Sequence, residues 1–304
     1  MFVENYVKLH NIKNAYVEKD ENLKFINASG WTDFAVGKSL VFSHRNNYYT
    51  KQTFTEGMHS HEYYELIIYL SGAVEYINEK SSFTPHSPCA VWFKPNEMHT
   101  ARLLAPSNYE RIVLYFSKNF FEFNNLVTPI IDFTENQNSF ALDLNNVDEI
   151  INLFSKAESA LNKNDDSKLL LAKTYLTQIF INLNENKSLI NSAPLIDDMA
   201  KIKNFVDNEY QSIVSIEQVA KKFYLSREHL SRQFKKRFNV NLSSYITSRR
   251  IAESIKLLKT NDVTNTAYAV GFNSMSAFIS AFKDYTGLTP SAYKKNNFQI
   301  FNSI

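Results

Sequence analysis

Four positions, Ala220, Leu225, Leu230 and Phe234, return as Ala267, Phe272, Phe278 and Phe282 at an offset of 47 or 48 residues. One small and three large apolar residues at a repeated spacing describe two copies of one supersecondary unit, each too small to bury its apolar face alone. In the first copy Ser215 opens a capping box with Gln218, a helix runs through Val219 and Ala220, and Phe223, Tyr224 and Leu225 break it. Ser226 then caps a second helix that turns Leu230 and Phe234 inward. In the second copy Thr264 is placed to cap a helix through Ala267, Gly271 makes the turn, and Asn273 or Ser274 caps the last helix. Both units read as helix-turn-helix, over residues 215–236 and 264–284.

A helix predicted from Leu242 to Leu258 joins them, with Tyr245, Ile246, Ala252, Ile255 and Leu258 along its inner side. At 1.5 Å per residue it is roughly 25 Å long, which can hold two reader helices about one DNA turn apart. Charge points the same way. Residues 195–304 carry 16 Lys and Arg against 9 Asp and Glu, a net +7, while the first 194 residues stand at −5. The segment Ser215–Lys259 holds 11 basic and 3 acidic residues, enough to favour a polyanion by counterion release. The alternative for the same charges is a well-solvated helical surface.

The spaced set Arg250, Ile251, Leu257, Leu258, Ala267, Gly271, Phe272, Phe278, Phe282, Lys283, Gly287, Thr289, Pro290 and Tyr293 resembles the signature of the AraC/XylS transcriptional regulators. The resemblance runs from Ile202 to Lys295, a third of the chain. It implies double-stranded DNA as a partner, approached by Ser226, Arg227, Glu228, Ser231 and Arg232 on the first reader helix. Asn273, Ser274, Met275, Ser276, Ala277 and Ser280 take the same place on the second. Arg232 has the strongest case for reading a base, because a guanidinium can bind guanine bidentately. Arg227, Lys235, Arg249, Arg250 and Lys283 are suited to phosphate, and His229 to a structural role or a weak phosphate contact. Two departures from the family pattern are Ser280, where many members carry Arg, and Thr266, where an aliphatic residue precedes the alanine. The first unit is therefore expected to carry more of the specificity.

Between Leu40 and Phe116 the pattern is different: short runs rich in Val, Ile, Tyr and Phe, broken by Gly72, Pro85, Pro88, Pro95 and Pro106. Strands are predicted at Tyr63–Leu70, Ala73–Ile77, Cys89–Phe93, His99–Leu104 and Arg111–Phe116, which suggests an antiparallel barrel or sandwich. Two helices follow, Val147–Leu161 and Asp166–Leu183. The stripe Leu169, Ala172, Leu176, Ile179 and Leu183 packs either on the barrel or on another copy of the chain. Asn184–Pro194 is the candidate linker.

Within the strands, His59, His61 and Glu65 fall on one face at period two, and His99 can reach them from a later strand. Imidazoles with a carboxylate are ligands for zinc, nickel, manganese or iron; the alternative is a hydrogen-bonded polar lining. The run from His59 to Gly72 resembles the first cupin motif, and Pro95 with His99 part of the second, although Thr53 and Glu97 stand where that pattern has glycine. In regulators of the resembling family such a domain senses a small effector. Arg45, Tyr63, Tyr69, Trp92 and Phe93 join the four cluster residues as candidate pocket walls.

The resulting expectation is an α+β multidomain chain. Residues 1–130 form a cupin-like β-barrel (jelly roll) that senses the effector, residues 131–194 a helical dimerisation or linker segment, and residues 195–304 an all-α domain with two helix-turn-helix units. Function is expected to be ligand-responsive transcriptional activation of a metabolic or carbohydrate-related operon, by a homodimer that engages RNA polymerase and requires no cofactor. The competing readings are a metal-dependent cupin enzyme with an accessory helical domain, and an adaptor that uses the helices for protein contacts. A single cysteine, Cys89, excludes an intramolecular disulfide framework. No apolar run reaches the ~18 residues of a membrane span, and Met1–His10 lacks the apolar core of a signal peptide, so a cytoplasmic location is expected.

Overall fold

A computed structural model describes residues 24–26, 32–36, 40–55, 57–79, 81–117, 141–143, 147–161, 166–185, 188–189, 193–194 and 197–301. The first residues of the chain and the expected domain boundary at 130 lie outside this set.

The first half is built of antiparallel strands. They are β1 (Lys24–Ile26), β2 (Thr32–Val36), β3 (Leu40–Tyr49), β4 (Thr53–Phe54), β5 (Tyr64–Ser71), β6 (Val74–Ile77), β7 (Ser81–Phe83), β8 (Cys89–Phe93), β9 (Thr100–Leu103), β10 (Ser107–Phe116), β11 (Ala141–Asp143), β12 (Ser188–Leu189) and β13 (Ala193–Pro194). One sheet runs β1-β2-β3-β10-β5-β8-β11-β12 and the other β13-β7-β6-β9-β4. This double sheet is the expected cupin-like domain. β10 starts at Ser107 rather than Arg111 because it pairs with β3 from Ser107↔Tyr49 through to Phe116↔Leu40. The expected linker is likewise partly structured: β12 pairs with β11 and β13 with β7, so it adds a strand to each sheet.

Side-chain parity divides the domain into two apolar layers. Ile67 and Tyr69 of β5 face inward with Val91, Phe93, Val113 and Tyr115. Leu66, Ile68, Trp92, Ile112 and Leu114 face the other way, onto α1 (Val147–Leu161) and α2 (Asp166–Glu185). Ala172, Leu176, Ile179 and Leu183 of α2 are buried in that outer layer, so the helical stripe packs on its own sheet. Burial on both faces explains why β5 reads as a continuous apolar run.

The second half consists of α3 (Asp198–Glu209), α4 (Ile216–Lys222), α5 (Arg227–Phe238), α6 (Leu242–Leu257), α7 (Val263–Ala269), α8 (Met275–Thr286) and α9 (Pro290–Phe301). The repeat extends to the backbone. Leu225 N–H donates to Ala220 O at 2.9 Å, and Phe272 N–H to Ala267 O at 3.0 Å. The turn residues Tyr224 and Gly271 both have positive φ, 56° and 92°, as do the residues closing α5 and α8, Asn239 at 54° and Gly287 at 77°. Ser215, Ser226 and Ser274 cap their helices as expected, but Asp262 takes the place expected for Thr264, its Oδ1 accepting from Asn265 N–H at 2.8 Å.

The two halves are docked together. Met58, Ile77 and Met98 of the sheet domain share an apolar cluster with Phe234, Phe238 and Tyr245. Around it, Arg249 faces Glu79 at 3.4 Å, Arg237 faces Glu75 at 3.7 Å, and the buried Lys203 donates to the Glu79 carbonyl and to Asp207.

Two substitutions at equivalent turns should act in opposite directions. Tyr224 is 96% exposed and sits in the left-handed region, so Tyr224→Gly should stabilise by about 1 kcal/mol in urea unfolding. Gly271→Ala should destabilise by more than that, because its Cβ would lie 2.4 Å from Gln211 O.

Candidate nucleic-acid interface and effector site

Each helix-turn-helix unit presents the N-terminal part of its reader helix to solvent. On α5, Ser226, Arg227, Glu228, His229, Arg232 and Lys235 are exposed and Ser231 half-buried, while Leu230, Phe234 and Phe238 fill the core. On α8, Asn273, Ser274, Ser276, Ala277, Ser280 and Lys283 are exposed and Met275 half-buried, over Phe278 and Phe282. The caps set this orientation: Ser226 Oγ accepts from His229 N–H at 3.2 Å and Ser274 Oγ from Ala277 N–H at 3.4 Å. The first helix exposes four cations, Arg227, Arg232, Lys235 and Lys236, and the second only Lys283. Arg227 is held toward Glu217 at 2.8 Å, but both side chains remain more than half exposed, so this pair does little to fix it.

Arg249 and Arg250 are corrections to the expected phosphate contacts. The Arg250 guanidinium donates to the carbonyls of Tyr210 at 2.9 Å and Ile213 at 2.6 Å and lies over the Phe272 ring. Arg249, with 13% of its side chain exposed, lies between Glu79 and Asp207. Both tie parts of the protein together.

In the sheet domain, His59, His61, Glu65 and His99 converge, with one ligand atom from each lying within 4.8 Å of the others. His59 and His99 are joined by reciprocal backbone hydrogen bonds of 3.0 and 2.8 Å. Each ring Nδ1 faces a backbone carbonyl: His59 that of Gly57, His61 that of Tyr63 and His99 that of Glu97. The Nε2 atoms of His61 and His99 meet one oxygen of Glu65, at 3.1 and 2.9 Å. Burial opposes ionisation of Glu65, but the two imidazole hydrogen bonds outweigh it and hold the carboxyl well below its usual range. Burial also opposes charge on His99, and the Glu65 hydrogen bond more than offsets it. For His61 burial prevails and the imidazole falls to about 4.

The candidate pocket residues divide by parity. Tyr63 stacks on His61 with ring centres 4.0 Å apart, Phe93 stacks on His99 at 4.1 Å, and Tyr69 is part of the inner layer. Arg45 is also inward, donating to Ser43 Oγ at 2.7 Å. Trp92 is a correction: it is paired with Leu66 and belongs to the layer under α1 and α2, on the far side of the sheet. Three inner residues escaped the sequence reading. Arg111 stands opposite Arg45 and over the Tyr109 ring, whose hydroxyl meets that of Tyr76 at 2.7 Å, and Tyr115 packs edge-on to His61 and Tyr63. The alternation of Tyr109, Arg111, Val113 and Tyr115 was the available signal, but it becomes readable only once β10 is known to begin at Ser107.

Comparison with known proteins bears on both halves. A family model described as an AraC-like ligand binding domain matches residues 40–180, and one described as a helix-turn-helix domain matches residues 219–296. The multiple antibiotic resistance protein MarA of Escherichia coli is 31% identical over 100 residues, 32% of this chain and 79% of MarA. The chain belongs to the AraC/XylS family of transcriptional regulators. Among other members, the regulator YdeC of Bacillus subtilis is 38% identical over 101 residues, 33% of this chain and 35% of its own. The lactose operon transcription activator of Staphylococcus xylosus is 26% identical over 165 residues, covering 53% of this chain and 58% of that one. The chain spans 35% to 55% of the length of the curated relatives it first matches. Among the described residues, no helix is long and apolar enough to cross a membrane.

The two classes of arginine separate experimentally. Arg232→Ala should cost about 1 to 3 kcal/mol of DNA affinity and relax base preference at one position. Arg250→Ala should instead lower the unfolding midpoint of the helical half and leave the salt dependence of DNA binding unchanged.

Proposed function

We propose that this AraC/XylS member is a ligand-responsive, sequence-specific activator of a carbohydrate-related operon. The observation that carries the reading is the pair of identically capped reader helices, held by one joining helix in the same chain as an AraC-like ligand-binding domain. Arg232 and Ser231 on α5 read bases, Ser276, Ser280 and Met275 on α8 add hydroxyl and methyl contacts, and Arg227, Lys235 and Lys283 neutralise phosphate. The lactose operon activator among its relatives supports a sugar-type effector. The inner face suits one: Tyr63, Tyr109 and Tyr115 offer aromatic surface, and Arg45 and Arg111 offer hydrogen-bond donors. A cytoplasmic homodimer that engages RNA polymerase follows from the same reading, and catalysis forms no part of it.

The histidine cluster supports a second role for the same domain, that of a divalent-metal site. With each Nδ1 turned to a backbone carbonyl, the Nε2 atoms of His61 and His99 are the groups left to meet the Glu65 carboxylate. A cation at that point would take the place of the protons these groups share, and the carbonyl partners of all three imidazoles are the outer contacts that orient metal-binding histidines. His59, His61, His99 and Glu65 would hold zinc, manganese, iron or nickel, which would supply a Lewis acid able to bind an effector oxygen. Glu97 and Thr53, in place of the cupin glycines, weigh against the enzyme reading.

Titration against duplex DNA flanking the gene, at several salt concentrations and with scrambled competitor, tests the main reading. Selective binding with a log–log salt slope of about −0.9 per phosphate contacted supports it, and equal affinity for competitor contradicts it. For the metal, gel-filtered protein loaded with zinc should retain one equivalent, and His99→Ala should retain none. Equal retention by both would remove the cluster as the site.

A further inference from the structure

The short segment from Gly57 to Glu62 has two sides with different partners. His59 and His61 turn into the sheet domain and contribute to the cluster with Glu65 and His99. The residues between them turn out, onto the helical half. Met58 N–H donates to the carbonyl of Phe238, the last residue of α5, at 3.0 Å, and the Met58 side chain enters the apolar cluster around Phe234 and Phe238. Ser60 Oγ is hydrogen-bonded to the hydroxyl of Tyr285, in the last turn of α8. Glu62 accepts from the Tyr293 hydroxyl of α9 at 3.2 Å. The fit at the α5 end is tight: a Cβ on Gly57 would lie 2.6 Å from the Asn239 carbonyl oxygen. One strap of six residues thus grips the C-terminal ends of both reader helices, and two of its residues, His59 and His61, belong to the candidate sensing site.

We propose that residues 57–62 are the positioning element that couples the histidine cluster to the relative placement of the two reader helices, with Met58 and Ser60 as its contacts to α5 and α8. This rests on the cluster being part of the sensing site. The physical reason is stiffness. The His59 and His99 backbones are locked by two hydrogen bonds, so a ligand that pulls the imidazoles together or apart moves the strap backbone. Because successive side chains point to opposite sides, that movement reaches Phe238 and Tyr285 with no intervening layer. A ligand shifts the equilibrium only by binding the two placements differently, and the strap gives it a direct contact to both readers. The joining helix α6 alone would hold the readers at one spacing; the strap adds a second tie whose position the cluster controls.

Hydrogen–deuterium exchange on the full chain tests this without DNA, so a failure of the DNA-binding reading leaves the result interpretable. Glu65→Gln keeps the side-chain shape and removes the charge that both imidazoles share. It should speed exchange severalfold at the Met58 amide and in the last turns of α5 and α8, while β3 and β10 amides stay as in wild type. Ser60→Ala should speed exchange at the end of α8 alone. Gly57→Ala wedges the strap from the other side without altering a cluster side chain. By reciprocity it should speed exchange at the His59 and His99 amides, and this reading holds even where Glu65→Gln loosens the whole sheet domain. Unchanged His59 and His99 exchange in Gly57→Ala, or faster strap exchange in Glu65→Gln with both reader ends unchanged, would overturn the proposal.

Discussion

Both small cores of the helical half are closed by the same helix. The first turns of α6 place Leu242, Tyr245 and Ile246 over Phe234 and Phe238, and its later turns place Ile251 and Ile255 over Phe278 and Phe282. Neither helix-turn-helix unit has enough apolar surface to stand alone, so each depends on its share of this helix. The two readers are therefore joined through one helix for a structural reason, before any question of DNA. Arg250 reinforces the junction, reaching from α6 to two carbonyls after α3 and to the Phe272 ring of the second unit. Arg250 is half-buried, and its guanidinium is engaged within the protein rather than presented to solvent.

The sheet domain obeys an equally simple constraint, the alternation of side chains across a sheet covered on both faces. Odd-numbered residues of β5 and β10 line the interior and even-numbered ones meet α1 and α2. The candidate site follows this division. His61, Glu65, Tyr63, Arg111 and Tyr115 share the inner side, and the helices that cover the outer side carry no part of the candidate site. The same alternation, continued into the irregular strap before β5, puts residues of the histidine cluster and docking residues next to each other in sequence.

Much of this was legible in the chain itself. The internal repeat points to both helix-turn-helix units and the joining helix to within two residues, because apolar spacing and serine caps are local signals. The convergence of His59, His61, Glu65 and His99 was legible for the same reason, since period two is a property of any strand. What escaped were matters of partner rather than pattern. Trp92 sits in a strand buried on both faces, and nothing local distinguishes its inner side from its outer one. Arg249 reads as a surface cation until Glu79, in the other half of the chain, is brought beside it. Tyr224 gives no hint of a left-handed turn, whereas its counterpart Gly271 does. The docking of the two halves left no mark in composition, because Met58, Ser60 and Glu62 are ordinary residues whose roles depend on the ends of α5 and α8.

Hydroxyl-radical footprinting of the full chain on its own upstream DNA tests the central claim most directly. Two helix-turn-helix units held by one helix should protect two patches on one face of the duplex, about 10 base pairs apart, with Arg232→Ala weakening the patch read by α5. A single protected patch, or two whose spacing varies from site to site, would contradict the account.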